Sequence, residues 1–166
     1  LYPYLSGLIE GYHKRGMTTF LVTNGTIPSA LERLETLPTQ LYVTLPANGE
    51  EMFVKITRPM SGPAWKNLMQ TLDLIPSLEP GTRTVIRLTM VKGLSLREPG
   101  KYARLIQRAS PLFVEVKGYV HVGFSQRRLK KENMPSHEEI KSFSYELAEE
   151  LGYIVAGEVK DSRVVL

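Results

Sequence analysis

The sequence predicts an α/β protein with parallel strands, because strand-like and helix-like segments alternate along the whole chain. Two further observations point the same way. Polar and apolar residues alternate along several strand segments, the period of a pleated strand. The length of 166 residues with 42% hydrophobic content suffices for one core, since a chain of ~150 residues buries about 70% of its extended surface. An open doubly wound sheet or part of a barrel satisfies this rhythm.

The elements follow in order. Leu5, Leu8, Ile9 and Tyr12 recur at helical spacing, and Gly16 stops that helix. Thr18-Thr19-Phe20-Leu21-Val22-Thr23 is a β-rich run punctuated by Asn24-Gly25. A short helix over 28–34 carries Pro28 in its first turn. Gln40-Leu41-Tyr42-Val43-Thr44-Leu45 is a second strand, closed by Pro46. A helical region follows, broken by Pro59, Ser61-Gly62 and Pro63. Its strong part covers 64–74, with Trp65, Leu68, Leu72 and Ile75 on one side. Residues 82–91 form a third strand, and Tyr102, Leu105 and Ile106 mark the next helix. Residues 112–122 read as a fourth strand. Ser136-His137-Glu138-Glu139 has capping-box spacing and opens a long helix with Ile140, Phe143, Leu147 and Leu151 on its apolar stripe. Residues 153–155 and 162–166 read as a hairpin or edge pair.

Composition excludes several chemistries. There is no cysteine, hence no disulfide framework, no thiolate-held zinc, no cysteine nucleophile and no Cys-ligated cluster from these residues. No apolar run approaches the ~18–20 residues of a membrane span. The three histidines are well separated and give no metal-ligand spacing. The Gly-x-Gly-x-x-Gly, P-loop and Gly-x-Ser-x-Gly signatures are missing. The start, Leu1-Tyr2-Pro3-Tyr4, is not expected to be a signal peptide. The chain opens almost directly on a helix and closes on a run that reads as a strand cut in the middle. We expect a piece of a longer protein.

Glu115, Lys117, Tyr119 and His121 alternate with Val114, Val116, Gly118 and Val120, so four polar groups share one strand face. Arg87 and Thr89 do the same in the third strand, and Tyr42 and Thr44 in the second. An antiparallel sheet with one wet face explains this pattern. A barrel with a polar, ligand-holding lumen also does, and the strand–helix rhythm favours it. Glu115 beside Lys117 reads as a salt bridge or as a pair that tunes its own pKa values. Asn24-Gly25 and Lys92-Gly93 end strands where α/β proteins bind ligands, although each is also an ordinary loop. His121 reads as a lumen group or a hydrogen-bonded core histidine; His13 and His137 read as surface residues.

The net charge of +4 is mild, but Arg127-Arg128-Leu129-Lys130-Lys131 concentrates four cations beyond the fourth strand. Phe124 and Tyr119 lie nearby in sequence. Cations neutralise phosphates and aromatic rings stack on unpaired bases; a solvated charge run is the plainer reading.

Several blocks carry a resemblance. They are Thr19-Phe20-Leu21-Val22-Thr23-Asn24-Gly25-Thr26, Leu37-Pro38-Thr39-Gln40-Leu41-Tyr42-Val43, Arg58-Pro59-Met60 with Trp65, and Arg83-Thr84-Val85-Ile86-Arg87-Leu88-Thr89 with Val91-Lys92-Gly93. Phe113-Val114-Glu115-Val116-Lys117-Gly118-Tyr119, Asn133-Met134-Pro135-Ser136-His137-Glu138-Glu139 and Asp161-Ser162-Arg163-Val164-Val165-Leu166 complete the set. In order and spacing the chain resembles the archaeal-type tRNA 4-demethylwyosine synthases, radical S-adenosylmethionine enzymes of wyosine biosynthesis.

The resemblance implies a partial (βα)6 radical-SAM barrel. Residues 1–125 would supply its strands three to six and 126–166 a C-terminal wyosine-family extension. It implies a cytoplasmic carbon–carbon lyase acting on N1-methylguanosine-37 of tRNA-Phe, with pyruvate as two-carbon donor. It implies S-adenosylmethionine, two 4Fe–4S clusters and an external electron donor, and no membrane. The cluster cysteines are expected upstream of Leu1, so this chain alone should be inactive. Thr44-Leu45-Pro46-Ala47 stands where the family often has Ser-Leu-Asp-Ala-Pro, so the carboxylate there is replaced.

By position, the resemblance makes Asn24, Thr44, Arg87 and His121 cofactor-binding and Lys117 and Glu115 catalytic. It assigns Arg127, Arg128, Lys130 and Lys131 to tRNA phosphates. Lys117 or Lys92 is a candidate for an imine with pyruvate. Two other readings stay open: a non-catalytic α/β RNA-binding module, and a small-molecule aldolase-like lyase using Lys117.

Overall fold

A computed structural model describes residues 2–60 and 62–166. Leu1 and Ser61, the latter part of the expected Ser61-Gly62 break, lie outside the described residues. The order is α1 (Leu5–His13), β1 (Phe20–Thr23), α2 (Pro28–Glu32), β2 (Gln40–Thr44), α3 (Glu50–Thr57), α4 (Ala64–Leu74), β3 (Arg83–Met90), α5 (Pro99–Ala109), β4 (Phe113–Gly118), α6 (His137–Leu151), β5 (Glu158–Val159) and β6 (Val164–Val165). One sheet runs β1-β2-β3-β4-β6-β5. Strands β1 to β4 are mutually parallel, and β6 and β5 add antiparallel at the β4 edge. The parallel centre removes the antiparallel explanation of the polar stripes.

The pleat separates two faces. Leu41, Val43, Leu45, Ile86, Leu88, Met90, Val116 and Val165 point one way and are essentially solvent-free. They meet Leu68 and Leu72 of α4, Tyr102 and Ile106 of α5, and Ile140, Phe143 and Leu147 of α6 in one core. The helical spacing of those apolar positions is what gives each helix a face for the sheet. Each fully buried aliphatic side chain contributes about 1.5–3 kcal/mol. Residues beyond 126 thus feed the same core as those before it.

Helix α6 starts as its sequence dictates. Glu139 N donates to Ser136 Oγ at 3.2 Å, and Ser136 N donates to Glu139 Oε2 at 2.8 Å. This reciprocal pair satisfies two amides that a helix start leaves free. The helix ends on Gly152, at φ +71°.

Three expectations change. The fourth strand stops at Gly118 instead of reaching 122. Tyr119 N still donates to Met90 O at 2.9 Å, but the chain then leaves the sheet and coils into a 3₁₀ turn, Gly123–Arg127. His121 is therefore not on a strand face. The C-terminal hairpin forms at 158–159 rather than 153–155, because Ala156 N and Gly157 N both donate to Leu166 O. His137 is buried rather than on the surface, and its Nε2 lies 3.2 Å from Glu158 Oε2.

Candidate functional site

The helices that build the core, α4, α5 and α6, pack on the first face of the sheet; among the described residues the second face carries the polar stripe. Register places Thr44, Arg87 and Glu115 side by side on β2, β3 and β4, with Thr89 and Lys117 one step further along. Arg87 Nε donates to Glu115 Oε1 at 2.6 Å, and its Nη2 reaches Oε2 at 3.4 Å. Their side chains are 28% and 13% exposed. The guanidinium also lies over the Tyr42 ring, 4.5 Å from the centroid. Tyr42 in turn stacks on Phe20, with centroids 5.4 Å apart. A contact ladder therefore crosses four strands.

The ladder settles which cation Glu115 takes. Directly opposed residues on neighbouring strands lie about 5 Å apart, whereas residues two apart on one strand are separated by roughly 6.6 Å. Arg87 is the nearer partner, and its planar fork suits a carboxylate. Lys117 has no hydrogen-bond or ion-pair partner among the described residues. Burial pushes the Tyr42 phenol above its ordinary pKa, the Glu115 charge adds to that, and Arg87 and Arg83 oppose it.

At the strand ends, the Asn24-Gly25-Thr26 turn is held on three sides. Thr26 N and Oγ1 donate to Asn24 Oδ1 at 3.1 and 2.8 Å. Asn67 Nδ2 donates to Thr26 O at 2.9 Å and Thr71 Oγ1 to Gly25 O at 2.7 Å, both from α4. Gly25 has φ +67°, and a Cβ there would lie 2.8 Å from Leu68 Cδ1. Glycine is required by conformation and by space. Asn24 and Thr44 come together in an open cleft of about 590 Å³, with Thr26, Pro46, Phe53 and Asn67 also on its wall. Arg87 and His121 do not line it. Asn67 was not foreseen; a mid-helix asparagine carries no sequence signal that it faces a strand end.

Beyond β4, the expected cofactor residue His121 bonds through Nε2 to Leu129 O at 2.9 Å. Tyr119 is buried, its hydroxyl donating to Ser125 Oγ at 2.9 Å. Arg127, Arg128, Lys130 and Lys131 are all exposed on this rim. Arg128 Nη1 donates to Ile56 O at 3.1 Å, pinning the segment to α3. Lys92 is committed elsewhere: its Nζ lies 2.6 Å from Glu139 Oε1. Of the two candidate amines, only Lys117 is unpaired. His13 is half-buried, 2.8 Å from Thr19 Oγ1.

These residues do not fit an iron–sulfur cluster. The chain has no cysteine, and among the described residues no three of His, Asp or Glu are placed to hold a metal ion. No helix among them is long and apolar enough to cross a membrane.

Comparison with known proteins is consistent with the resemblance read from the sequence. Residues 108–166 match the family described as wyosine base formation. The whole chain is similar to the S-adenosyl-L-methionine-dependent tRNA 4-demethylwyosine synthase of Pyrococcus abyssi, at 48% identity over 170 residues covering 49% of that protein. A solved structure of TYW1 with a lysine–pyruvate adduct bound matches 99% of this chain and 51% of its own, at 37% identity and a TM-score of 0.86. Coproporphyrinogen III oxidase from Escherichia coli, a radical SAM enzyme, shares the fold over 89% of this chain and 36% of its own, at 16% identity and a TM-score of 0.54. The chain spans about half the length of the Pyrococcus abyssi synthase and of the TYW1 chain it matches.

Proposed function

We propose that this chain is part of a tRNA 4-demethylwyosine synthase that converts N1-methylguanosine-37 of tRNA-Phe with pyruvate as two-carbon donor. The observation that carries the reading is 48% identity to a named synthase along the entire chain. In this reading β1 to β4 are strands three to six of a partial (βα)6 radical-SAM barrel, residues 1–125, and residues 126–166 are the wyosine-family extension. Two features support it. The β4 edge is covered by the β6–β5 hairpin, whereas β1 is at the sheet's end with Phe20 and Val22 more than half exposed. The polar face is left open, as a lumen wall should be.

Lys117 is the pyruvate-handling residue of this proposal. Its Nζ attacks the ketone carbon, and loss of water from the carbinolamine leaves an imine. Glu115, held firmly at Oε1 and loosely at Oε2, is assigned the proton that this dehydration moves. Asn24 and Thr44 are assigned to the S-adenosylmethionine side. That cofactor supplies hydrogen-atom abstraction when bound. The one-electron chemistry of the clusters, and the external donor that feeds it, belong to residues outside this chain. Arg127, Arg128, Lys130 and Lys131 are assigned to tRNA phosphates.

The test is reductive trapping. The full-length protein is incubated with pyruvate and borohydride, then mapped by peptide mass spectrometry. A carboxyethyl group on Lys117, lost in Lys117→Ala together with 4-demethylwyosine formation, is the expected result. Undiminished trapping on another lysine in the variant would remove Lys117 from the reaction.

A further inference from the structure

Two aromatic residues stand near the basic rim in sequence, and the structure treats them oppositely. Tyr119 is 7% exposed and Phe124 is 80% exposed. A lone exposed apolar ring is ordinary on a protein surface; what sets Phe124 apart is how its backbone is held and which charge lies over it. Phe124 is not on a loose loop. Ser125 Oγ donates to Val122 O at 2.6 Å and accepts from Tyr119. Gln126 Nε2 donates to His121 O at 3.0 Å, and Leu129 N and Arg128 N donate to Ser125 O. The bond from Arg128 to Ile56 O fastens the turn to α3. These bonds fix the backbone on both sides of Phe124. Arg127 sits over the ring, its guanidinium 5.0 Å from the centroid.

We propose that Phe124, backed by Arg127, is a stacking platform for an unpaired nucleobase of the bound RNA. The inference rests on the RNA reading above and adds a base-contacting residue to it. The neighbouring charges choose the occupant. Arg127 lies over the ring, and Arg128, Lys130 and Lys131 follow it within seven positions, all exposed, a charge that suits a polyanion that also presents π faces. A neutral apolar partner leaves those cations without counter-charge. A ring already carrying a guanidinium on one side is free to take a base on its other side or edge, and arginine itself stacks on bases. The platform lies past the C-terminal end of β4, the same strand that carries Lys117.

The test uses the full-length protein and an anticodon stem–loop RNA with 2-aminopurine at single unpaired positions. Quenching at one position is expected for the native protein. Phe124→Ala should weaken RNA binding about tenfold and abolish that quenching. It should leave the slope of log affinity against log salt unchanged, because no charge is lost. Phe124→Trp should retain both affinity and quenching. Unchanged affinity in Phe124→Ala overturns the platform while the RNA reading stands on the salt slope. A weakened S-adenosylmethionine affinity with intact RNA binding overturns it too, by assigning the ring to the cofactor's adenine. Weaker binding with a lowered melting temperature and no rescue by Trp marks Phe124 as structural, which also overturns it. A native protein whose RNA affinity is independent of salt sinks both the platform and the RNA reading beneath it.

Discussion

Arg87 donates from Nε to Glu115 Oε1 at 2.6 Å across the β3–β4 seam, and that bond sets the surroundings of a third residue. With its carboxylate neighbour occupied, Lys117 sits on the open face as an uncompensated amine. The condition matters because an amine held in an ion pair is not free to approach a ketone carbon.

Removing Arg87 should hand Glu115 to Lys117. Arg87→Ala is expected to slow pyruvate trapping on Lys117, with Arg87→Lys restoring part of the rate. Urea denaturation should show a loss of about 2 kcal/mol, because Glu115 is left half-buried without its partner. A trapping rate identical to that of the native protein would show that the pair does not govern Lys117.

The rim cations can be counted by salt. Arg127→Ala combined with Arg128→Ala should lower the slope of log affinity for tRNA against log salt by roughly 1–2, since each lost phosphate contact removes about one counterion. Fluorescence anisotropy at several ionic strengths measures it. Parallel lines for native and variant proteins would take both arginines out of the interface.

Two glycines with the same backbone sign separate conformation from crowding. Gly152, φ +71°, has nothing within 4 Å of an added Cβ, whereas Gly25, φ +67°, meets Leu68 Cδ1 at 2.8 Å. Gly152→Ala should cost about 1 kcal/mol, the left-handed penalty alone. Gly25→Ala should cost roughly 2–4 kcal/mol, the same penalty plus the overpacking. Equal melting temperatures for the two variants would mean that α4 yields easily at Leu68.

The capping carboxylate should show in acid. The bond from Lys92 holds the Glu139 carboxyl below its ordinary pKa, and the Ser136 amide adds to it. A depressed folded-state value means that stability is complete above the unfolded value of 4.5 and is lost as pH falls through the folded value. Glu139→Gln should therefore flatten the dependence of stability on pH below about 4.5 while leaving the slope near neutrality unchanged. Denaturant midpoints from about pH 3 to 7 would reveal an unaltered acid limb if the carboxylate is uninvolved.

Much of the fold was legible because it is local. The helix over 64–74 appears with those bounds, since its apolar positions recur at 3.6 residues and Pro63 precedes it. The capping box at Ser136 and Glu139 forms as its spacing requires. The fourth strand read too long because alternation persists through Tyr119 and His121, while hydrogen bonds to Ser125 and Leu129 from further along the chain end the pairing. His137 read as a surface residue because its partner Glu158 lies 21 positions away.

The polar and apolar alternation by itself determined that one sheet face is wet, because side-chain direction in a strand is a property of the pleat. It also brought Arg87, Glu115 and Lys117 into the candidate set. Register decided the rest. Only the pairing of β3 with β4 sets Arg87 against Glu115 and leaves Lys117 free, and only the coil after Gly118 buries Tyr119 and exposes Phe124. Partner choice depends on distances between strands that are remote in sequence, and no spacing within a single strand encodes them.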